Sequence, residues 1–328
     1  MNPVTILLPV LELDEFFFQT LESILAVDYT NLELLIVHDC QTEHEDDFRG
    51  LEGRVEGRGM KLTICHSLVP GLASTLNLGL NIASHEYVCR IDADDLITPS
   101  RIKKQVEYLN ENPNVAVIGG QLRFMNQDGE ISERYSDYPT TPEDTKLKLL
   151  TGCFIAHPAV MFRKSAVLAV GGYRTFFKTA EDYDLWLRVI EFRDISNLPD
   201  VVTIYRQHEG QMSSKLKQVD LYTRIAKKSY SLRQQHIVSD LPGGEVNLSN
   251  WLSEGNRLRS KTQILSSLNS KRNALGDSLI FRAKLTRSRG MLPASVLFII
   301  SACIVIPIRA QLEIGKFSLN ALRLLLKK

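Results

Sequence analysis

Three aspartates stand close together in the first third of the chain. Asp92, Asp94 and Asp95 occupy three of four consecutive positions and follow an apolar segment. Like charges packed together are costly without a counter-ion, and a bound cation is the natural compensation. Mg²⁺ and Mn²⁺ accept carboxylate oxygens and leave coordination positions for substrate phosphate. The spacing therefore indicates a metal and diphosphate site. The alternative is a solvated acidic turn that caps the next helix, because aspartate is common at helix starts.

A second acidic group precedes an apolar helical pattern in residues 180–190. Leu185, Val189 and Ile190 form the buried stripe, so Glu181 and Asp182 lie at the start of the helix. The helix dipole helps to keep carboxylates ionised at this position. An ionised carboxylate can accept a proton from a reacting hydroxyl. Simple capping of the helix is the alternative, and the local sequence leaves both open.

The elements that must position these residues alternate between strand and helix. Apolar runs rich in strand formers predict strands, and apolar residues at helical spacing predict helices. The predicted strands are residues 4–10, 34–37, 61–65, 86–91 and 115–118, and the predicted helices are residues 16–26, 72–83 and 100–110. Repeated units of this kind imply a mostly parallel sheet flanked by helices.

Ligands of such sheets bind beyond the carboxyl ends of the strands, where both Asp39 and Asp92 are expected. The second half is less regular. Asp128-Gly129 predicts a hairpin turn, and residues after Ser213 become helical and basic. The expected division is a domain of residues 1–215, a basic helical extension of residues 216–290 and a terminal segment of residues 291–328.

Several motifs in this order resemble the family 2 glycosyltransferases, which have the GT-A fold and invert the sugar. Residues 5–10, 22–25 and 34–37 fit that family, and the resemblance covers about residues 4–212. It is strongest in Leu76-Asn77-Leu78-Gly79, Ala83, Glu86-Tyr87-Val88, Arg90-Ile91-Asp92-Ala93-Asp94-Asp95, Pro99, Arg101 and Gln105. The resemblance implies an enzyme that moves a sugar from a nucleotide diphosphate, here expected to be a UDP-sugar.

The same resemblance assigns roles on the donor side. It places Pro9 in the nucleotide-sugar site, Asp39 on the base and Asp92 on the ribose or nucleotide. Asp94 is then the ligand of Mg²⁺ or Mn²⁺, and Asp95 is a second candidate. The chain departs from the family at Leu11-Glu12 and at His38-Asp39-Cys40-Gln41, so an atypical base pocket is expected.

On the acceptor side, the resemblance makes Asp182 the general base that deprotonates the acceptor hydroxyl. His208 lies in a family segment near the end of the catalytic domain, where relatives place a histidine on the metal or near the diphosphate. A lone histidine is otherwise usually structural. His157 matches a family strand, and a structural role beside the acceptor cleft is expected for it. Trp186 is expected in the core or in the wall of that cleft.

The charges of the chain are divided unevenly. Residues 1–250 carry 25 Lys and Arg against 35 Asp and Glu, whereas residues 251–328 carry 14 against 3. The net charges of the two parts are therefore −10 and +11. The negative charge of residues 1–250 repels nucleic-acid phosphates, so we expect no nucleic-acid partner. A basic tail mixed with apolar residues suits an anionic membrane surface.

The tail contains an apolar stretch and an amphipathic pattern. Residues 291–308 carry no charge and have cationic flanks, but a membrane span needs about 20 apolar residues. A span, a re-entrant segment and a shallow helix all remain open, and residues 312–328 resemble an interfacial helix. The alternative is a buried helical hairpin. We expect the enzyme at the cytoplasmic face of the inner membrane, acting on a lipid-linked or envelope polysaccharide acceptor.

Other classes fit the sequence less well. A sugar nucleotidyltransferase normally has a basic glycine-rich loop after the first strand, but residues 11–15 are apolar and acidic. A dinucleotide-dependent oxidoreductase would have G-x-G-x-x-G at that position. A non-catalytic membrane scaffold of the same fold would be expected to lack Asp94 or Asp182. The five cysteines form no C-x-x-C pair and are expected to be reduced.

Overall fold

The computed structural model describes residues 1–39, 48, 50–208, 210–211, 216–235 and 241. The chain divides into two compact units, Met1–Tyr230 and Ser231–Lys328. Nearly all described residues belong to the first unit. The predictions for the basic extension beyond residue 235, for residues 291–308 and for residues 312–328 lie outside the described residues. Within the described part, we find no helix that is both long enough and apolar enough to cross a membrane.

The first half of the fold alternates strands and helices as the hydrophobic pattern predicts, with one additional helix and one additional strand. Its elements are β1 (Val4–Val10), α1 (Glu15–Leu25), β2 (Leu32–His38), α2 (Leu51–Glu56), β3 (Lys61–His66), α3 (Leu72–Ile82), β4 (Tyr87–Arg90), β5 (Leu96–Ile97) and α4 (Arg101–Glu111). The additional elements are α2 and β5. The Asp14 side chain caps α1 by accepting from the backbone N–H of Phe17 at 2.9 Å. This bond satisfies one of the N–H groups that a helix start leaves unpaired.

The second half is irregular in its spacing and contains two long strands. Its elements are β6 (Val115–Asn126), β7 (Ile131–Tyr135), α5 (Pro142–Leu149), a short 3₁₀ helix (His157–Ala159), β8 (Met161–Arg163), α6 (Lys164–Ala169), α7 (Glu181–Val189), β9 (Asp194–Gln207) and α8 (Leu216–Gln234). The predicted turn at Asp128-Gly129 joins β6 to β7, with Gly129 at φ +88°. A positive φ is the conformation that glycine adopts at little cost.

Within the described residues the strands form one nine-stranded sheet in the order β3-β2-β1-β4-β8-β6-β9-β5, with β7 on β6. The sheet is mixed: β1 to β4, β6 and β9 run in one direction, whereas β5, β7 and β8 run in the other. The mostly parallel sheet that the sequence predicts therefore carries three reversed strands. Strands that pair in antiparallel fashion need no helical crossover between them. A regular alternation of strand and helix in the sequence therefore does not predict these three strands.

The core lies on both faces of the sheet. Every residue of β1 and β2 is buried, as expected of strands with helices on each side. On one face, α1 and α4 pack through Phe17, Leu21 and Ile102. On the other face, α3 approaches closely at Gly79, where an added Cβ would lie 2.3 Å from a methyl carbon of Leu7.

The shared strand direction places the candidate site. Six strands end at one edge of the sheet, so segments distant in sequence meet there. Asp39 follows β2, residues 92–95 follow β4, and His208 follows β9. The structure thus gathers the ends of three strands at the edge where α/β proteins bind ligands.

Candidate active site

The three aspartates after β4 form a compact cluster. One oxygen from each of Asp92, Asp94 and Asp95 lies within 4.8 Å of the others. Asp95 is fully buried, whereas the side chains of Asp92 and Asp94 are 31 % and 26 % exposed. The cluster is therefore buried on the side of Asp95 and open to solvent on the side of Asp92 and Asp94. A metal ion that is shared with a substrate needs such an arrangement.

Asp92 is held by the last residue of β4. Arg90 is buried, and its Nη1 donates to Oδ2 of Asp92 at 2.7 Å while its Nη2 donates to Oδ1. A guanidinium that donates to both oxygens fixes the plane of the carboxylate. Burial nevertheless raises the pKa of Asp92, and the negative charge of Asp94 adds to the rise that Arg90 opposes.

Asp95 has one satisfied oxygen and one unsatisfied oxygen. Its Oδ1 accepts from the backbone N–H of Arg206 at 2.8 Å, and its Oδ2 is buried with no hydrogen-bond partner among the described residues. Burial raises the pKa of Asp95 well above its usual range, and the charges of Asp94 and Asp92 add to the effect. A buried carboxylate oxygen without a partner is costly. A divalent cation would compensate both the charge and the missing contact, so the residues present fit such an ion.

His208 places an imidazole nitrogen on the open side of the cluster. Its Nε2 lies 2.9 Å from Oδ2 of Asp94, although 114 positions separate the two residues in the chain. The His208 ring packs on Phe16 of α1, with 5.4 Å between the ring centroids. Imidazole nitrogen with carboxylate oxygens is a donor set that Mn²⁺ accepts.

Arg206, near the end of β9, frames this half of the site. Its guanidinium donates to the carbonyl of Asp94 at 2.9 Å and to Oε1 of Gln19 at 2.6 Å. It also stands over the ring of Phe16, 4.5 Å from the centroid. Arg206 thus connects the acidic turn to α1 through hydrogen bonds and holds the end of β9 beside the turn. Partners of this kind orient the residues that contact a metal.

The ends of β1, β2 and β3 form the third part of the edge. Asp39 donates its backbone N–H to the carbonyl of Val10 at 2.7 Å and accepts from the N–H of Gly71 at 3.0 Å. Pro9 is buried within β1, opposite Val37 in the parallel register. The structure therefore places Asp39 at the rim and Pro9 in the wall behind it.

His38 occupies the position before Asp39 at which the family resemblance leads one to expect an acidic residue, and it lies next to His66 of β3. Nε2 of His38 lies 3.2 Å from the carbonyl oxygen of Leu11, which can only accept, so this nitrogen donates. Nδ1 of His38 lies 3.4 Å from Nδ1 of His66. The pair closes the gap between the ends of β2 and β3.

Asp182 lies in the first turn of α7 on the other side of the edge. Its Oδ1 accepts from the N–H of Tyr183 at 2.7 Å, and the exposed thiol of Cys153 lies 3.9 Å from its Oδ2. Burial raises the pKa of Asp182 above its usual range. Ala180, which precedes this turn, has φ +59°. A positive φ is uncommon for a residue with a side chain and often accompanies a functional site.

Glu181 is buried beside Asp182. Burial and the charge of Asp182 raise the pKa of Glu181 to about 7. Its Oε1 lies 3.7 Å from Nδ1 of His157, and Nε2 of His157 lies 2.9 Å from the hydroxyl of Tyr173. Burial and the charge of Arg90 lower the pKa of His157 well below its usual range, so its ring is neutral. Trp186 is fully buried in the core behind these residues.

One buried cation acts on both acidic groups. The positive charge of Arg90 opposes the rise in the pKa of Asp92, of Glu181 and of Asp182, and the charge of Asp92 in turn raises the pKa of Asp182. The acidic turn after β4 and the start of α7 are therefore within electrostatic reach of each other. The sequence assigned no role to Arg90 or Arg206, although both contact the acidic turn. The place of Arg90 at the end of an apolar strand was the available signal for that residue.

The fold is a mixed α/β sheet. At the edge where such sheets bind ligands, it carries an acidic cluster, an imidazole and the acidic start of α7. These features are typical of an α/β enzyme, and the acidic cluster is suited to a metal ion. Comparison with known proteins narrows the class. The family model described as glycosyl transferase family 2 matches residues 5–170. The chain belongs to this family, and it is a glycosyltransferase.

Two relatives and one solved structure illustrate the range of similarity. The O-antigen biosynthesis glycosyltransferase WbnJ of Escherichia coli is 30 % identical over 71 % of this chain and 89 % of its own length. The amylovoran biosynthesis glycosyltransferase AmsE of Erwinia amylovora is 34 % identical over 40 % of this chain and 49 % of its own length. The crystal structure of S. aureus TarS 1-349 in complex with UDP-GlcNAc covers 84 % of this chain and 80 % of that chain, with a TM-score of 0.55 and 17 % identity. This last likeness establishes the GT-A type of fold.

Proposed function

We propose that the protein transfers a sugar, with inversion, from a nucleotide diphosphate donor to a hydroxyl of a lipid-linked or envelope polysaccharide acceptor. The observation that carries the proposal is the meeting of two acidic groups at one edge of the sheet. The cluster of Asp92, Asp94 and Asp95 suits a metal and a diphosphate, and Asp182 suits a base. A UDP-sugar is the first donor to consider, because the similar TarS structure holds UDP-GlcNAc.

Each step of the reaction has a residue to support it. The acceptor oxygen attacks the anomeric carbon and forms the new C–O bond, while the bond from that carbon to the diphosphate oxygen breaks. The bonding electrons leave with the nucleoside diphosphate, and the acceptor proton passes to the carboxylate of Asp182. One displacement inverts the anomeric centre, so no covalent enzyme intermediate is needed.

The nucleotide-sugar donor would be bound by side chains that accept hydrogen bonds from the nucleotide and by side chains that coordinate the cation. Asp94, Asp95 and His208 would hold Mg²⁺ or Mn²⁺, and the ion would neutralise the charge of the departing diphosphate. Asp92, fixed by Arg90, would accept from the ribose or the nucleotide. Asp39 would accept from the base at the rim of the edge, with Pro9 in the wall behind it.

The relatives and the charge of the tail support the proposed acceptor and the proposed location. The names of WbnJ and AmsE assign those proteins to the biosynthesis of O-antigen and of amylovoran. Residues 251–328 of this chain carry a balance of +11, from 14 Lys and Arg against 3 Asp and Glu. We therefore place the enzyme at the cytoplasmic face of the inner membrane, where a basic and apolar tail would meet anionic lipid.

A donor panel tests the proposal. The full chain is incubated with UDP-GlcNAc, UDP-glucose, UDP-galactose and GDP-mannose in the presence of Mn²⁺, and the release of nucleoside diphosphate is measured. We expect turnover of at least one donor, its loss in Asp94→Ala, and its loss in Asp182→Asn with donor binding retained. Binding of no donor, or full activity of Asp182→Asn, would overturn the proposal.

A further inference from the structure

The loop of residues 150–154, which follows α5, lies beside the proposed base. Sγ of Cys153 is 3.9 Å from Oδ2 of Asp182 and 3.3 Å from the carbonyl oxygen of Ile155. A thiol has one proton, and the shorter contact takes it. Oδ1 of Asp182 accepts from the N–H of Tyr183. Oδ2 is therefore left for the acceptor hydroxyl, which must come within hydrogen-bonding distance of the base and so beside this loop.

The same loop is accessible to a substrate. Leu150 is 43 % exposed, Thr151 and Cys153 are exposed, and Phe154 is half-buried. The ammonium group of Lys148 stands over the ring of Phe154, 5.5 Å from its centroid. The loop thus offers apolar, hydroxyl and cationic groups next to the base, and the proposed reaction has not yet assigned a surface to hold the acceptor.

The start of the loop is held by α7. The hydroxyl of Tyr183 donates to the carbonyl of Leu149, the last residue of α5, at 2.6 Å. The Tyr183 side chain is buried, and its backbone N–H donates to Asp182. One residue therefore fixes both an oxygen of the base and the point from which the loop departs.

The middle of the loop is held by α8. Nζ of Lys227 donates to the carbonyl of Thr151 at 2.6 Å and stands 6.0 Å from the centroid of the Tyr183 ring. A cation at this distance from an aromatic face is attracted to it. Thr151 lies two positions before Cys153. Lys227 therefore bridges α7 and the part of the loop that faces Asp182.

The helix that carries Lys227 is itself fixed by packing. Ile225 and Ala226 are fully buried, and the ring of Tyr222 lies 6.1 Å from that of Phe176 and 5.8 Å from that of Phe177. Burial of this much apolar surface holds α8 in place without the contact to the loop. The side chain of Lys227 thus extends from a rigid support, and the loop is the element that it restrains.

We propose that residues 150–154 form the wall against which the acceptor binds, and that Lys227 is the positioning residue that holds this wall beside Asp182. The inference rests on the proposed role of Asp182 as the base. With the bond to Thr151 in place, the acceptor hydroxyl is confined near Oδ2. Without it, the wall moves away from the base, and a misplacement of about 1 Å can cost about 100-fold in rate.

The reaction of Cys153 with iodoacetamide reports the position of the loop. The thiolate is the reactive form, and the negative charge of Asp182 at 3.9 Å disfavours it. Lys227→Met in the full chain should release the loop, move the thiol away from this charge and speed the alkylation by about 2- to 10-fold, the range of one hydrogen bond. Mass spectrometry of the peptide of residues 149–163, which contains no other cysteine, measures the rate.

Variants of the two ties provide the controls. Lys227→Arg keeps a donor for the carbonyl of Thr151 and should react at the wild-type rate. Lys217→Met removes an exposed cation from the same helix and should also leave the rate unchanged. Tyr183→Phe removes the tie to Leu149 and should speed the alkylation, as Lys227→Met does. Equal rates in Lys227→Met and the wild type would overturn the inference.

The ratio of sugar transfer to donor hydrolysis separates positioning from a general effect on the fold. With UDP-GlcNAc and Mn²⁺, and octyl glucoside as the acceptor probe, Lys227→Met should lower this ratio by about 10-fold or more. Hydrolysis by water needs no wall and should keep its rate. Faster alkylation with an unchanged ratio would show that the loop does not hold the acceptor and would likewise overturn the inference.

Failure of the proposed function has a different signature. Absence of donor turnover in the wild type, or full activity of Asp182→Asn, would overturn the role of the base. The alkylation rates would still decide whether Lys227 holds the loop. Asp182→Asn should itself speed the alkylation of Cys153 by about fivefold, the effect of removing a unit charge about 4 Å away in water.

Discussion

Arg90 acts on both acidic groups of the site, the turn after β4 and the start of α7. It is 1 % exposed, donates twice to Asp92 and lies within electrostatic reach of Glu181 and Asp182. Lysine carries the same charge but cannot donate to both carboxylate oxygens from one plane. Replacement of Arg90 by lysine would therefore change the orientation of the Asp92 carboxylate but keep the positive charge near Asp182.

Arg90→Lys should weaken donor binding more than it slows the chemical step. The loss of one charge-assisted hydrogen bond corresponds to about 1.5–3 kcal/mol, or roughly a 10- to 100-fold rise in the KM for the donor. Steady-state kinetics with a nucleotide sugar measures the change. Arg123→Lys is the control, because Arg123 pairs with Glu133 at an exposed site. An unchanged KM in Arg90→Lys would remove Asp92 from the nucleotide site.

The rate should fall in mildly acid solution. A general base works only when it is ionised, and burial raises the pKa of Asp182. The loss of activity on acidification should therefore occur above the ordinary aspartate pKa of about 3.9. The pH dependence of kcat/KM measures this, with Asp182→Asn expected to lower the rate by about 10²- to 10⁴-fold at all pH values. An acid limb at the ordinary aspartate value would contradict the buried setting of this base.

At the scale of elements, Arg101 joins α4 to the centre of the sheet. It is fully buried, and its guanidinium donates to the carbonyls of Arg90, Pro158 and Val160 and to the side chains of Gln105 and Thr203. These contacts hold the end of β4, from which the acidic turn departs. The position of the turn therefore depends on a residue that touches none of the reacting groups.

Arg101→Met should lower the free energy of unfolding by about 3 kcal/mol or more, because it leaves several buried carbonyls without their donors. Urea denaturation followed by circular dichroism measures the change. Lys103→Met on the same helix is the control, and its exposed position should keep the change within about 0.5 kcal/mol. Equal stability of the two variants would show that α4 is held by its apolar face alone.

The sequence predicts the first half of the fold better than the second for a physical reason. Strands β1, β2 and β4 contain continuous apolar runs, and helices α1, α3 and α4 have a regular apolar period, so the positions of these elements follow from the pattern. Strands β5 and β8 have only two and three residues, which is too short for any period. Their reversed direction depends on pairing with distant strands, and no local pattern records it.

The candidate site divides in the same way. The residues Asp92, Asp94, Asp95 and Asp182 could be found because each lies where a strand ends or a helix begins. The contact of His208 with Asp94 spans 114 positions, and that of Arg206 with Gln19 spans 187. Contacts of this separation are set by the order of strands in the sheet. The family resemblance suggested His208, but nothing local to the sequence suggested Arg206.

At the scale of the whole molecule, the uneven charge leads us to expect that the basic tail binds anionic membranes. The full chain should sediment with vesicles that contain phosphatidylglycerol and much less with vesicles of phosphatidylcholine alone. The binding should weaken as salt is added, because the screening length falls from about 10 Å at 0.1 M to about 3 Å at 1 M. Vesicle cosedimentation measures both effects.

A variant of the tail separates charge from apolar insertion. Replacement of Arg282, Lys284, Arg287 and Arg289 by glutamine should reduce binding to the anionic vesicles, while Lys103→Gln on the catalytic unit should not. Binding that is insensitive to both salt and these substitutions would favour an apolar span over a surface attachment.

The meeting of His208 with Asp94 also has a consequence for the newly made protein. The acidic turn after β4 leaves the ribosome 114 residues before His208, which follows β9 and brings the imidazole to Asp94. A chain interrupted before β9 would lack this imidazole, the backbone donor to Asp95 and the guanidinium that contacts the turn. The acidic turn therefore reaches its final arrangement only after residues 194–208 have been synthesised.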